Sequence, residues 1–136
     1  MIAEEELTKK IIEAFYFVHK MLGYGFLENV YKNALYYELT ERGLKCECEK
    51  EINVYYFGRK VGIYRADMVV EDKVILELKA VEDLRIEHEF QLINYLKATG
   101  MEVGLLLNFG RSAKFKRKIF TENPQKYKSV KSEGCQ

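Results

Sequence analysis

The spacing of hydrophobic residues predicts two helices in the first third of the chain. Between residues 4 and 22, hydrophobic side chains recur every three or four positions, which is the period of an amphipathic helix. The same pattern covers residues 25–39 and stops before Gly43, a residue type that readily adopts the left-handed conformation at a helix end. The expected core positions are Leu7, Ile11, Ala14, Phe15, Val18 and Leu22 in the first helix, and Leu27, Val30, Tyr31, Ala34, Leu35 and Leu39 in the second.

The hydrophobic period then changes to two, which is typical of strands. Hydrophobic and polar residues alternate over 46–56 and again over 61–70, and the residues between these two segments have a turn-like sequence. A second turn at 71–73 leads to a third predicted strand at 74–79. We therefore expect three consecutive antiparallel strands.

The remaining pattern combines a helix with one or two strands. A helix is predicted over residues 84–99, with Gly100 closing it, and its expected core stripe consists of Ile86, Phe90, Ile93 and Leu96 or Lys97. The hydrophobic run at 103–107 is typical of a strand covered on both faces, and a final strand is predicted over 114–120. This element order predicts an α/β sandwich around a small mixed sheet.

The composition is that of one folded domain. The chain has 136 residues and a mass of 16.0 kDa, of which 48% of residues are hydrophobic and 32% charged. That length is enough to bury one core and too short for two ordinary domains. We expect a single domain over residues 1–120 and a flexible, polar, basic tail over residues 121–136.

Membrane association and secretion are not expected. The longest uncharged stretch, 103–110, is far shorter than the roughly 20 apolar residues of a membrane span, and the N-terminus is too acidic for a signal peptide. Cys46, Cys48 and Cys135 are too few and too unevenly placed for a disulfide framework, so free thiols are expected. These features predict a soluble cytoplasmic protein.

The net charge of +1 conceals an uneven distribution. Residues 1–110 contain 14 Lys and Arg against 19 Asp and Glu, whereas residues 111–136 contain eight against two. The basic segment fits two interpretations: a cationic edge that binds a phosphate backbone, or an edge strand whose charges prevent pairing with other sheets. The candidate nucleic-acid-binding residues in it are Arg111, Lys114, Lys116 and Lys118.

Asp67 and the segment Glu77-Leu78-Lys79 are the strongest candidates for chemistry. Carboxylates in the middle of apolar strands are costly to bury unless they are paired or bind a cation. Adjacent antiparallel strands would bring Asp67 and Glu77 together, and two carboxylates with a backbone carbonyl form the oxygen site that Mg²⁺ or Mn²⁺ prefers. The alternative is a structural ion pair of Lys79 with Asp67 or Glu77.

Two helices carry further polar residues at helical spacing. Glu28 and Tyr31 share a face at the start of the second helix, and Gln91 and Tyr95 share a face of the third. Taken alone, Glu28 fits a residue that stabilises the helix dipole, and the polar ridge on the third helix fits a solvated face.

Taken together, these residues form four short motifs. The motifs are Gly25-x-x-Glu28-x-x-Tyr31, Asp67-x9-Glu77-x-Lys79, Gln91-x3-Tyr95 and the Leu-Leu-Asn-Phe-Gly segment that ends at Gly110. Their combination closely resembles the GxxExxY family of the PD-(D/E)XK nuclease superfamily, over about residues 5–120. The resemblance implies a restriction-endonuclease-like αβββαβ core, with an extra N-terminal helix, and the order of elements read from periodicity agrees with it.

The resemblance also implies roles for individual residues. Asp67 and Glu77 match catalytic metal ligands, Lys79 matches the catalytic lysine, and the backbone carbonyl of Leu78 would complete the site. Glu28 matches a further metal ligand, acting directly or through water. Tyr31, Gln91 and Tyr95 match residues that support the site. Ala66 stands where the superfamily name has proline, a departure that leaves the acidic residues unchanged.

Two functional hypotheses follow. The first is a nuclease that uses Mg²⁺ or Mn²⁺ to hydrolyse nucleic acid, with DNA as the expected substrate and a homodimer expected by analogy. The second is a nucleic-acid-binding or assembly module that retains the fold without turnover. No phosphate-binding loop, Ser-His-Asp arrangement or second cysteine pair supports nucleotide hydrolysis, acyl transfer or a soft-metal site.

Overall fold

The computed structural model describes residues 4–121. The helices are α1 (Glu5–Leu22), α2 (Glu28–Glu41) and α3 (Ile86–Thr99). The strands are β1 (Cys46–Tyr56), β2 (Arg59–Val70), β3 (Val74–Lys79), β4 (Val103–Phe109) and β5 (Ala113–Ile119). The predicted order of elements is confirmed, and the last predicted strand, β5, is formed.

The five strands form one mixed sheet in the order β1-β2-β3-β4-β5. Neighbouring strands are antiparallel except β3 and β4, which are parallel because α3 connects them as a crossover. The parallel pair lies at the centre of the sheet, and β4 is buried along its whole length. This is the predicted α/β fold, a mixed sheet flanked by helices.

Helices cover both faces of the sheet. The larger core lies between the sheet and the α1 and α2 helices, where Phe109 stacks on Tyr31 at 4.5 Å between ring centroids and meets Phe15 edge-on at 4.8 Å. The smaller core lies under α3, around Ile75 and Leu106. Alternation along β3 puts Glu77 and Lys79 on the same face as Ile75, which is the face that α3 covers.

The buried face of α3 differs from the prediction. Ile86 and Phe90 of the expected stripe are 56% and 58% exposed, whereas Leu92 and Tyr95, which were not expected in it, are buried; Leu96 is buried as predicted. The reason lies in β4, where a Cβ at Gly104 would approach Leu92 Cδ1 to 2.6 Å. The missing side chain lets Leu92 pack directly on the strand, which fixes a rotation of α3 that periodicity cannot reveal.

Helix α2 begins later than predicted. Its first residue is Glu28, so Leu27 and Val30 face solvent instead of the core, with Leu27 81% exposed. The rest of the predicted face of α2 is confirmed, since Tyr31 and Leu35 are fully buried.

Other expectations concern thiols, membranes and the tail. Cys46 and Cys48 are free thiols, as predicted. Across residues 4–121, no helix is both long enough and apolar enough to cross a bilayer. The predicted flexible tail, apart from Thr121, and Cys135 lie outside the described residues.

Candidate active site

Strands β2 and β3 separate at Asp67. The ladder between them ends at the pair Met68–Leu76, one residue after Asp67 in the chain. Beyond that point the backbone N–H of Asp67 donates to a Glu77 carboxylate oxygen at 2.9 Å, and the backbone N–H of Leu78 donates to an Asp67 carboxylate oxygen at 2.8 Å. Each acidic side chain thus accepts a hydrogen bond from the backbone of the neighbouring strand, in place of a backbone-to-backbone bond of the ladder.

The environment of this pair opposes negative charge. Glu77 is only 4% exposed, and burial, followed by the neighbouring Asp67 carboxylate, raises its pKa to about 8. Burial also raises the pKa of Asp67, against the opposing effect of the hydrogen bond from Leu78. A buried carboxylate beside a half-buried one is an arrangement that a bound cation stabilises.

Glu28 and Lys79 lie within electrostatic range of the pair. Partial burial and then the Asp67 charge raise the pKa of Glu28, and the Lys79 ammonium lowers the pKa of all three carboxyl groups. Glu28 is only partly buried at the first residue of α2, whereas Tyr31, which shares its helix face, is fully buried. The structure nevertheless brings together Glu28, Asp67, Glu77 and Lys79.

Tyr95 and Gln91 approach the site from α3. The Gln91 side-chain amide donates to the Tyr95 hydroxyl at 3.0 Å. Burial and then the charges of Glu77 and Asp67 raise the pKa of Tyr95 to about 12. Tyr95 is therefore a buried neutral phenol beside the carboxylates, and the interpretation of this ridge as a solvated face is wrong for Tyr95.

The Tyr31 hydroxyl fastens the loop that leads to Glu28. The hydroxyl donates to the Gly23 carbonyl at 2.7 Å and accepts from the Phe26 backbone N–H at 3.3 Å. These bonds fasten the α1–α2 loop, residues 23–27, which leads directly into Glu28. Tyr31 therefore positions the start of α2 and does not face the carboxylates, being part of the core on the other side of the sheet.

Sequence reasoning missed an ion pair beside the carboxylates. Lys32 of α2 binds Glu49 of β1, and the charges of both act on Asp67. The flanking pairs Cys48–Met68 and Lys50–Ala66 place Glu49 opposite Asp67 across the hairpin. Only the register of β1 on β2 creates this proximity, so no linear signal could have found it.

Asn108 is a second residue whose role was missed. It is 1% exposed at the end of β4, where its side-chain oxygen accepts from the Val81 N–H at 3.0 Å and its amide donates to the Val81 carbonyl at 2.9 Å. These two hydrogen bonds hold the backbone of Val81, two residues after Lys79, against the end of β4. The available signal was a single asparagine within an apolar run of the sequence, and that asparagine entered the prediction only as part of the Leu-Leu-Asn-Phe-Gly motif.

Among the contacts of the described residues, none joins a candidate nucleic-acid-binding residue of the C-terminal segment to Asp67 or Glu77. Lys116 and Lys118 form ion pairs with Glu89 of α3, at 3.0 Å for Lys116. Arg111 lies over the ring of Tyr24, with its Cζ 5.2 Å from the ring centroid, and Lys114 is exposed on β5.

The donor set fits a hard divalent cation in part. Within residues 4–121 no group of three or more His, Cys, Asp or Glu side chains is arranged as a complete metal site. Asp67 and Glu77 each use one carboxylate oxygen for a backbone hydrogen bond, and the hydrogen bonds of the described residues leave the second oxygen available. Because Mg²⁺ keeps several waters and often needs only one or two carboxylates, this pair is compatible with it.

Comparisons with known proteins identify the superfamily and a similar fold. A search of curated protein sequences found no match. A solved structure titled "Crystal structure of SSO0001" is similar in fold, with a TM-score of 0.54 and 18% identity over 79% of this chain. The alignment covers 57% of that protein, so the present chain spans little more than half its length. The family model described as the PD-(D/E)XK nuclease superfamily matches residues 5–119, and the chain therefore belongs to that superfamily.

Proposed function

We propose that this protein is a divalent-metal-dependent nuclease of the GxxExxY family, which hydrolyses phosphodiester bonds in nucleic acid, with DNA as the substrate. The observation that carries the proposal is the reciprocal bonding of Asp67 and Glu77 where β2 and β3 separate. A merely structural ion pair would place Lys79 against one carboxylate, yet no salt bridge within residues 4–121 involves Lys79.

In this proposal Asp67, Glu77 and the Leu78 carbonyl hold Mg²⁺ or Mn²⁺, and Glu28 contributes through water. The bound ion would lower the pKa of a water molecule and stabilise negative charge at phosphorus. The free ammonium of Lys79 is available to orient the attacking water and to stabilise the charge that develops on a phosphate oxygen.

The surrounding residues keep these groups in place. The backbone hydrogen bonds hold Asp67 and Glu77 in fixed orientations, and the Asn108 bonds to Val81 fix the chain beyond Lys79. Such preorganisation is worth more in a partly buried site than in water, because the charges are weakly screened there.

Cleavage assays on purified protein test the proposal. The wild type and the variants Asp67→Asn and Lys79→Met are incubated with Mg²⁺ or Mn²⁺ and a panel of single-stranded, duplex and branched DNA and RNA. We expect cleavage by the wild type and at least roughly a 100-fold loss in each variant, the usual effect of removing an electrostatic or general-acid-base group. Asp72→Asn and Lys73→Met, in the turn between β2 and β3, are matched controls that should retain full activity.

Two outcomes would contradict the proposal. Cleavage that survives both site substitutions would come from a contaminant or another site. Nucleic-acid binding without cleavage of any substrate would favour the alternative of a non-catalytic binding or assembly module. We further propose, by analogy with small nucleases of this fold, that the protein is a homodimer, which analytical ultracentrifugation would test.

A further inference from the structure

A cleft of about 360 Å³ is lined by residues that neighbour the candidate site residues along the chain. It lies between the α1–α2 loop, the segment that follows β3 and the end of β4. We call it the aromatic cleft and define it by Tyr24, Phe26, Leu27, Val81 and Arg111. Its volume lies within the range of roughly 300 to 1,000 Å³ that is usual for small-molecule sites.

The loop side of the aromatic cleft presents apolar side chains to solvent. Tyr24, Phe26 and Leu27 are 56%, 49% and 81% exposed. The loop is nevertheless held by the Tyr31 hydroxyl, which bonds to Gly23 and to the Phe26 backbone. Exposed apolar side chains on a fastened loop indicate a surface that binds something, because a rigid loop cannot bury them by rearranging.

The cleft adjoins the candidate active site at two places along the chain. Leu27 on its wall precedes Glu28, and Ala80 on its wall follows Lys79. This adjacency along the chain favours a part of the substrate as the occupant over an unrelated ligand.

Charge identifies which part of a nucleic acid would fit. Arg111 is exposed and lies against the Tyr24 ring, so it provides a cation at an aromatic wall. Glu82 supplies an acceptor for base amino groups in the same lining. Aromatic faces with an adjacent arginine are the combination by which proteins bind single strands, stacking the base and neutralising its phosphate.

We propose that the aromatic cleft binds one unpaired nucleobase of the substrate strand next to the phosphate that is cut, with Arg111 on a flanking phosphate. This inference rests on the proposed nuclease function and sharpens it. The substrate is nucleic acid that is single-stranded, frayed or open at the cleavage position, since a base within a stacked duplex cannot enter the cleft.

Binding measurements test the stacking contact directly. Fluorescence anisotropy of a labelled oligothymidine is measured in EDTA, so that no cleavage occurs. We expect Tyr24→Leu and Phe26→Leu each to weaken binding by roughly 5- to 100-fold, the usual effect of losing one stacked base. Tyr37→Leu is the matched control, since Tyr37 is 69% exposed on α2 and does not line the cleft.

A second measurement uses the wild-type protein with altered substrates. An abasic residue is placed at successive positions of a single-stranded oligonucleotide, and cleavage is followed with Mg²⁺. We expect one position beside the cut to reduce cleavage markedly in the wild type and to have no additional effect in Tyr24→Leu. A 2-aminopurine at that position should lose fluorescence on binding to the wild type and keep it with Tyr24→Leu.

The outcomes separate this inference from the proposed function. Suppose that the wild type cleaves nucleic acid but both cleft variants bind it with unchanged affinity: the base-binding cleft would then be overturned and the nuclease function would stand. Equal effects of an abasic residue at every position would have the same meaning. The absence of metal-dependent cleavage on every substrate would overturn the nuclease. Equal cleavage of intact duplex and single strand would also contradict the cleft.

Discussion

At the scale of single residues, Glu77 carries a carboxyl group whose charge suits a metal site but lowers the stability of the metal-free fold. Its carboxylate is 4% exposed and lies beside Asp67, so ionisation in the metal-free protein is unfavourable. Natural proteins tolerate such groups where the charge is used, and a divalent cation would offset the repulsion that folding imposes.

The first prediction concerns Glu77→Gln in EDTA. Because the native pKa of Glu77 is about 8 and its ordinary value is 4.5, the folded protein binds this proton more tightly. The free energy of unfolding should therefore fall as pH rises from about 4.5 through 8. Glu77→Gln should remove most of this fall, on the order of 1–3 kcal/mol between pH 6 and pH 9. Urea denaturation at both pH values measures it.

The control for that prediction is Glu102→Gln. Glu102 is exposed, so its neutral variant should keep the pH dependence of the wild type. Parallel pH profiles for the wild type and Glu77→Gln would show that Glu77 ionises normally in the folded protein, and that result would contradict the expectation.

The second prediction concerns the hydroxyl of Tyr31. Tyr31→Phe keeps the ring stacked on Phe109 but removes the bonds to Gly23 and Phe26. We expect a loss of about 1–2 kcal/mol in the free energy of unfolding, with a decrease in nuclease activity because the start of α2 is less well held. Tyr37→Phe should change neither quantity, and hydrogen exchange of the Phe26 amide should accelerate only in Tyr31→Phe.

At the scale of elements, the ends of β3 and β4 determine where the chain leaves the site. Asn108 of β4 bonds to both backbone groups of Val81, and a Cβ on Gly110 would approach the Val81 carbonyl oxygen to 2.6 Å. The two Asn108–Val81 hydrogen bonds, which we call the polar clamp, and the close approach of Gly110 both hold the segment that follows Lys79.

The third prediction tests that clamp. Asn108→Ala removes two hydrogen bonds to the Val81 backbone and leaves a space where a side chain that is 1% exposed had packed, which should lower the free energy of unfolding by about 1–3 kcal/mol. Nuclease activity at a temperature where the variant is folded should also fall, because Lys79 is less well positioned. The exposed Asn29→Ala on α2 is the control. A stable variant with normal activity would show that the clamp is dispensable.

At the scale of the whole molecule, the near-zero net charge hides internal neutralisation. Part of the positive charge of β5 is already paired, because Lys116 and Lys118 bind Glu89, whose pKa the two ammonium groups hold below its usual value. Arg111 takes no part in these ion pairs and lies over the Tyr24 ring at the aromatic cleft.

The fourth prediction separates these two sets of cations. The double variant Lys116→Gln/Lys118→Gln should lower the free energy of unfolding by about 1 kcal/mol, because Glu89 loses its partners. It should leave the salt dependence of DNA binding nearly unchanged. Arg111→Gln should leave the free energy of unfolding nearly unchanged. It should reduce the slope of log affinity against log salt concentration by about one. Equal slopes for the two variants would contradict the assignment.

The hydrophobic pattern predicted the elements well, and it failed where side chains of different elements meet. The spacing of Leu7, Ile11 and Phe15 identified the face of α1 that is buried. The same reasoning assigned Ile86 and Phe90 to the core, yet both are exposed because Gly104 admits Leu92. Periodicity gives an approximate direction for a helix face, and the partner surface decides its rotation.

For the candidate site, the sequence by itself determined the chemical groups and the order of elements. Asp67, Glu77 and Lys79 stand on predicted neighbouring strands, and alternation puts Glu77 and Lys79 on one face. Only the tertiary structure decided that β2 and β3 separate at Asp67, that Glu49 lies opposite it, and that Lys116 and Lys118 are paired. These features depend on strand register and on contacts between distant segments, which local spacing does not encode.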